Sequence, residues 1–213
     1  MAKLYFNYSS MNAGKSTVLL QASYNYVERG MNTLLLIAAI DDRAGKGRIA
    51  SRIGLASDAD IFSSSDDLLQ HTQNAINSKP IHAVFVDEAQ FMTKDQAWQL
   101  ARVADELKIP VMCFGLRTDF QGNLFPGSAA LLAIADNLKE IKTICWCGRK
   151  ATMVARLDAS GQFAEEGDQV VIGGNDTYVS LCRHHWSKRQ LRPKTDAAST
   201  AVETGLREKE MAK

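Results

Sequence analysis

Ser9-Ser10-Met11-Asn12-Ala13-Gly14-Lys15-Ser16 stands between a short apolar run, Leu4-Tyr5-Phe6-Asn7-Tyr8, and a helical pattern that begins at Lys15. A Gly-Lys-Ser at a strand-to-helix turn is a phosphate cradle. Backbone N–H groups point inward, the helix N-terminus adds positive potential, the lysine reaches the terminal phosphates, and the serine hydroxyl can ligate Mg²⁺. Against the pattern G-x-x-x-x-G-K-[ST], one position departs: Ser9 stands where the first glycine would be.

Outward from this loop, apolar runs alternate with helical patterns. Leu4–Tyr8, Thr33–Ile40, Ile81–Val86, Pro110–Gly115 and Ile141–Ile144 read as buried strands. Lys15–Arg29, Ser65–Asn77, a stretch from an N-cap at Thr93 to Lys108, and Ser128–Asn137 read as helices. Asp41–Arg48 is a polar loop carrying Gly45 and Gly47. The alternation predicts an α/β domain with a central parallel sheet covered on both faces. Ligands of such sheets bind at the carboxyl ends of the strands. The phosphate loop, Asp41-Asp42, Asp87-Glu88 and Leu116–Phe120 all fall at such ends.

The run Ala83-Val84-Phe85-Val86 ends in Asp87-Glu88. An aspartate there orients Mg²⁺ beside a phosphate loop, together with Ser16. The next carboxylate, Glu88, can accept a proton from whatever attacks the γ-phosphorus. Attack by water makes an NTPase; attack by a substrate hydroxyl makes a kinase. Arg43, Arg48, Arg52, Arg117 and Arg156 are all candidates to neutralise developing charge, and the sequence does not rank them.

The pattern changes after Ile144. Gly148, Gly161, Gly167, Gly173 and Gly174 punctuate short segments, among them Thr152–Leu157, Gln169–Ile172 and Tyr178–Leu181, which read as short antiparallel strands. Cys145 and Cys147 with Cys182 and His185 offer three thiolates and one imidazole, the donor set of a closed structural Zn²⁺ site. His184 is the rival fourth ligand; two residues between Cys182 and His185 favour the latter. Cys113 stands alone in an apolar run and reads as a core thiol. The expected organisation is a nucleotide-binding domain over 1–144, a zinc-binding domain over 145–190, and a disordered tail over 191–213.

The chain has 213 residues and a formal net charge of +1, so no global field draws it to nucleic acid or membrane. No apolar run is long enough to span a bilayer, and the N-terminus lacks the pattern of a signal peptide. A cytoplasmic protein with no nucleic-acid or membrane partner is expected.

Taken together, the motifs resemble the type II thymidine kinase family, which joins a RecA-like P-loop domain to a small zinc-bearing lasso domain. The stretches that carry the resemblance are Met11–Thr17, Ile40-Asp41-Asp42-Arg43, Ser51-Arg52-Ile53-Gly54, Val86-Asp87-Glu88-Ala89-Gln90-Phe91, Gly115–Phe120, Cys145 with Cys147, Val170-Val171-Ile172-Gly173-Gly174, and Tyr178 to His185. The resemblance implies transfer of the ATP γ-phosphate to the 5′-hydroxyl of thymidine, with Glu88 as proton acceptor and Lys15 on the phosphates. It implies that residues 9–16 and Asp87, Glu88, Ala89 and Gln90 bind Mg-ATP. Met11, Phe91, Leu116 and Phe120 match positions near the thymine pocket. Gln169, Val170, Val171, Ile172, Gly173 and Tyr178 match the lasso that closes over the nucleoside. A structural zinc, a homotetramer and feedback inhibition by dTTP are further implications. The alternative reading is a zinc-ribbon P-loop ATPase acting on nucleic acid, which the near-zero net charge and the absence of a basic, aromatic-interleaved stripe disfavour. A non-catalytic zinc-ribbon module would leave Lys15, Asp87 and Glu88 unexplained.

Overall fold

The computed structural model describes residues 1–167, 169 and 177–192. The larger part runs β1 (Leu4–Ser9), α1 (Lys15–Val27), β2 (Thr33–Ala38), β3 (Arg48–Ala50), β4 (Ala56–Asp58), β5 (Asp60–Phe62), α2 (Leu68–Ser78), β6 (Ala83–Asp87), a 3-10 turn (Ala89–Phe91), α3 (Lys94–Glu106), β7 (Val111–Leu116), α4 (Pro126–Ile134) and β8 (Asn137–Glu140). Among the described residues, six strands form one sheet in the order β5-β2-β6-β7-β1-β8, every neighbouring pair parallel. The chain leaves β1 through α1 and crosses over β7 and β6 to reach β2, which opens a crevice at the carboxyl ends of these strands.

The central strands are apolar on both faces because both faces are covered. Along β2, Leu34, Leu36 and Ala38 enter the cluster packed by α2, α3 and α4. Leu35 and Ile37 enter the opposite cluster with Leu19 and Leu20 of α1, alongside Phe85 and Phe114. This is the two-residue alternation of a strand, with a hydrophobic layer on each side. Helix starts are fixed locally. Asp67 caps α2 by accepting from the N–H groups of Leu69 and Gln70. Thr93 and Gln96 form a reciprocal capping box on α3, and the Gln96 amide also donates to Ser63 and Asp66 carbonyls, which ties α3 to the approach to α2.

Three features differ from the sequence pattern. The strand expected at Ile141–Ile144 is not the last strand of the sheet: that place is taken by Asn137–Glu140, while Thr143–Ile144 pairs antiparallel with Lys150–Ala151. The helix before it stops at Ile134, short of the expected Asn137. The strands β3, β4 and β5 arise in a region with no apolar run. β8 is an exposed, largely polar edge strand, and β5 is an edge strand of only three residues that buries Phe62, so neither carries the signature of a strand buried on both faces.

Beyond Glu140 the smaller part comprises β9 (Thr143–Ile144), β10 (Lys150–Ala151), β11 (Met153–Arg156), β12 (Tyr178–Leu181) and the short helix α5 (Arg183–Ser187). β9 pairs with β10 and β11 with β12, both antiparallel. Their small core gathers Cys145, Ala151, Ala155, Leu181 and Cys182. The segment 170–172 and the tail 193–213 lie outside the described residues.

Candidate active site

Asn12 and Gly14 carry the phosphate loop through the left-handed region, with φ of 61° and 82°. A Cβ on Gly14 would touch nothing within 4 Å, so glycine is favoured there by backbone conformation and not by space. Lys15 opens α1 and is 8% exposed. Its ammonium donates to Ser9 Oγ and to the Ser10 carbonyl, each at 3.2 Å. The Ser9 hydroxyl, standing where the motif has glycine, donates in turn to Ser10 O at 2.6 Å. Burial lowers the Lys15 pKa, against the opposing pull of Glu88 and Asp87.

Asp87 ends β6 and is 2% exposed. Burial, with Glu88 adding to it, pushes its carboxyl up to about 7, although the Ser16 hydroxyl and the Glu88 N–H both hydrogen-bond to it. A buried carboxylate short of counter-charge beside a serine hydroxyl is a hard, oxygen-donor pair, which suits Mg²⁺. Glu88 itself sits at φ 52°, left-handed for a non-glycine residue. Its Oε1 accepts from the Arg43 guanidinium at 2.7 Å, and its Oε2 accepts from the Gln90 amide. Arg43 also forks onto Asp41 at 2.6 and 2.9 Å, and this hydrogen bonding holds its pKa above the ordinary arginine value. Of the five candidate arginines, Arg43 reaches the acid pair. Arg48 and Arg52 line the phosphate cleft, Arg117 donates to the Thr152 carbonyl at 3.1 Å, and Arg156 covers the Phe120 ring at 3.9 Å.

Two cavities meet at Glu88. One is the phosphate cleft, lined by residues 11–17 with Asp87, Arg48 and Arg52. The other is walled by Phe91, Phe120, Phe125, Val154 and Tyr178, with Gln90, Thr118, Asp119 and Gln169 supplying polar groups. Met11, Asp41, Arg43, Glu88 and Leu116 line both. Gln169 donates to Asp119 Oδ2 at 2.9 Å, while Asp119 Oδ1 accepts from the N–H groups of Gln121 and Asn123. Ser9, Ser10 and Ala89 are buried and line neither cavity; Gln90 lines the second cavity and not the phosphate cleft. Val170, Val171, Ile172 and Gly173 lie outside the described residues. Phe125, Val154, Thr118 and Asp119 were not singled out by the sequence. Asp119 carried the best available signal, in the run Arg117-Thr118-Asp119-Phe120.

Cys145, Cys147, Cys182 and His185 place one donor atom each within 4.8 Å of all the others. The Cys147–Cys182 sulfurs are 3.9 Å apart, and His185 Nδ1 lies 3.4 Å from Cys145 Sγ and 3.5 Å from Cys182 Sγ. A tetrahedron with Zn–S bonds of about 2.3 Å has S···S edges of about 3.8 Å, so the donor set fits Zn²⁺. His184 is exposed and outside the cluster, while the Trp146 indole stacks on His185 at 4.1 Å. This unit abuts the second cavity: Trp186 Nε1 donates to the carbonyls of Phe120 and Val154 at 3.2 and 3.0 Å. Cys113 lies alone in the sheet, where burial pushes its thiol pKa up.

A phosphate loop facing a strand-end acid pair, with a second, aromatic-walled cavity opening on the same glutamate, defines a P-loop phosphotransferase. The family model described as thymidine kinase matches residues 2–186, and the chain belongs to the thymidine kinase family. It is 66% identical to the thymidine kinase of Ruegeria pomeroyi over 186 residues, covering 87% of this chain and 94% of that protein. It is 66% identical to that of Rhizobium meliloti over 191 residues, covering 89% and 98%, and 57% identical to that of Pasteurella multocida over 189 residues, covering 89% and 98%.

Proposed function

We propose that this protein transfers the γ-phosphate of ATP to the 5′-hydroxyl of thymidine, giving dTMP and ADP. The observation that carries the reading is the position of Glu88 on the common wall of the phosphate cleft and the second cavity. The nucleoside occupies the aromatic cavity and presents its 5′-hydroxyl to Glu88. Glu88 takes the hydroxyl proton as the oxygen bonds to the γ-phosphorus, and the bond from that phosphorus to the bridging oxygen of ADP breaks. Lys15 and Arg43 stabilise the charge that develops on the transferring group.

Ser16 and Asp87 would hold Mg²⁺, which neutralises phosphate charge when bound. The four-ligand Cys/His cluster would hold a structural Zn²⁺ with no open position for substrate. Phe91, Phe120, Leu116, Met11 and Tyr178 are assigned to the thymine pocket, and Gln169–Gly173 to the lasso that covers it. Closure excludes water, so ATP is not lost to hydrolysis. The division at residue 144, a homotetramer, dTTP as inhibitor and a cytoplasmic location complete the reading. Among the described residues no helix is long and apolar enough to cross a membrane.

The test is an assay of purified protein with Mg-ATP and a panel of nucleosides, repeated with Glu88→Gln. Thymidine phosphorylation and a loss of turnover of roughly 10²–10⁴-fold in the variant are expected, with ATP binding retained. DNA-stimulated ATP hydrolysis without nucleoside phosphorylation would overturn the proposal.

A further inference from the structure

Gln90 is 1% exposed and bonded at both ends of its carboxamide. Its Oε1 accepts from the Leu116 N–H at 2.9 Å, and its Nε2 donates to Glu88 Oε2. The polarity is forced, because a backbone N–H can only donate: the oxygen must face Leu116 and the nitrogen must face the glutamate. The turn that carries Gln90 is gripped from two sides. A Cβ on Gly115 would fall 2.8 Å from Gln90 Oε1 and 3.0 Å from its backbone nitrogen. A Cβ on Gly127 would fall 2.5 Å from the Ala89 carbonyl oxygen and 2.8 Å from that of Met92.

Arg43 pulls the Glu88 carboxylate toward Asp41 by holding both acids in one fork. Gln90 holds the other oxygen. Without that second donor the carboxylate would rotate into the guanidinium, where a bidentate pair is the favoured geometry. Asp87 and Lys15 also interact with this group by charge.

We infer that Gln90 is a positioning residue: it fixes the orientation of the Glu88 carboxylate toward the acceptor hydroxyl and couples that orientation to Leu116, a wall of the acceptor cavity. The inference rests on the proposed role of Glu88 as general base. It assigns Gln90 to the acceptor side of the reaction and not to nucleotide binding.

The experiment compares Gln90→Glu, Gln90→Leu and Gly115→Ala with Glu88→Gln, measuring kcat, both KM values and Tm for each. Gln90→Glu keeps the shape and the acceptor for Leu116 but replaces the neutral donor to Glu88 with a second carboxyl, so like-charge repulsion adds to the loss of the bond. Its kcat should fall roughly 10- to 100-fold, the cost of misplacing a reacting group, with thymidine KM near the parent value. Gln90→Leu should lose kcat similarly and also raise thymidine KM, because the Leu116 N–H is left unpaired. Gly115→Ala crowds both the carboxamide and the backbone nitrogen of Gln90 without deleting the side chain, and should lower kcat with ATP KM unchanged; it decides the matter if a Gln90 variant does not fold. Parent kcat in Gln90→Leu, with turnover lost in Glu88→Gln, overturns the inference and leaves the base intact. Parallel changes in kcat, both KM values and Tm across all three variants also overturn it, since they mark a merely structural role. Full activity in Glu88→Gln removes the base itself, and the inference with it.

Discussion

The Ser180 hydroxyl donates to the Met11 backbone carbonyl at 2.6 Å, bonding the strand that leads into Cys182 and His185 to the phosphate loop. A hydrogen bond between residues 169 positions apart makes the cysteine-bearing unit part of the active site's frame. Ser180→Ala should lower Tm by about 2–4 °C, from the loss of roughly 1 kcal/mol. It should also raise KM for both substrates a few-fold, because Met11 lines both cavities. Steady-state kinetics and a melting curve check both effects.

Metal content offers a second test. One zinc per chain is expected by elemental analysis, and none in Cys182→Ser. Removing the proposed ion should free α5, and with it Trp186, whose indole bonds Phe120 and Val154 on the wall of the second cavity. Thymidine KM should therefore rise on the order of tenfold before kcat falls, a scale typical of disturbed metal surroundings. Unchanged kinetics in a zinc-free variant would remove the structural role.

Arg43 is bound by Asp41 and Glu88 through a planar fork that lysine cannot reproduce. Arg43→Ala, which removes the charge assigned to the transferring phosphoryl group, should lower kcat by roughly 10³-fold, and Arg48→Ala by far less. Equal losses in the two variants would demote Arg43 to one cleft cation among several.

Asp87 makes a pH prediction with a definite sign. Its carboxyl is raised from 3.8 to about 7 by burial, so the folded protein binds a proton there that the unfolded chain has already released. Its contribution to stability is complete below pH about 4 and is lost as pH rises through about 7. Nucleotide-free Asp87→Asn should thus melt higher than the parent at pH 8 and show no such advantage at pH 4. Melting curves across that range, without Mg²⁺ or ATP, decide it.

What the sequence disclosed follows from which forces are local. β2, β6 and β7 are buried on both faces, so their composition alone announced them. The loop at Gly14-Lys15-Ser16 and the acids at Asp87-Glu88 were legible because phosphate chemistry restricts residue types at fixed offsets. Edge strands β5 and β8 were not: β5 is only three residues long with Phe62 its one fully buried side chain, and β8 is exposed and largely polar. Arg43 could not be chosen from five arginines because its partner Glu88 is 45 residues away. Gln90 was visible as part of a motif, but its bond to Leu116 depends on the approach of β7 to the turn after β6.

The wall common to both cavities also constrains how this enzyme can change. A substitution at Met11 or Leu116 that admits a bulkier base alters the donor side in the same stroke, so acceptance of a new nucleoside and loss of turnover would be inherited together. Phe125, Val154 and Tyr178 line the second cavity alone. Directed evolution toward modified nucleosides has its freest positions there.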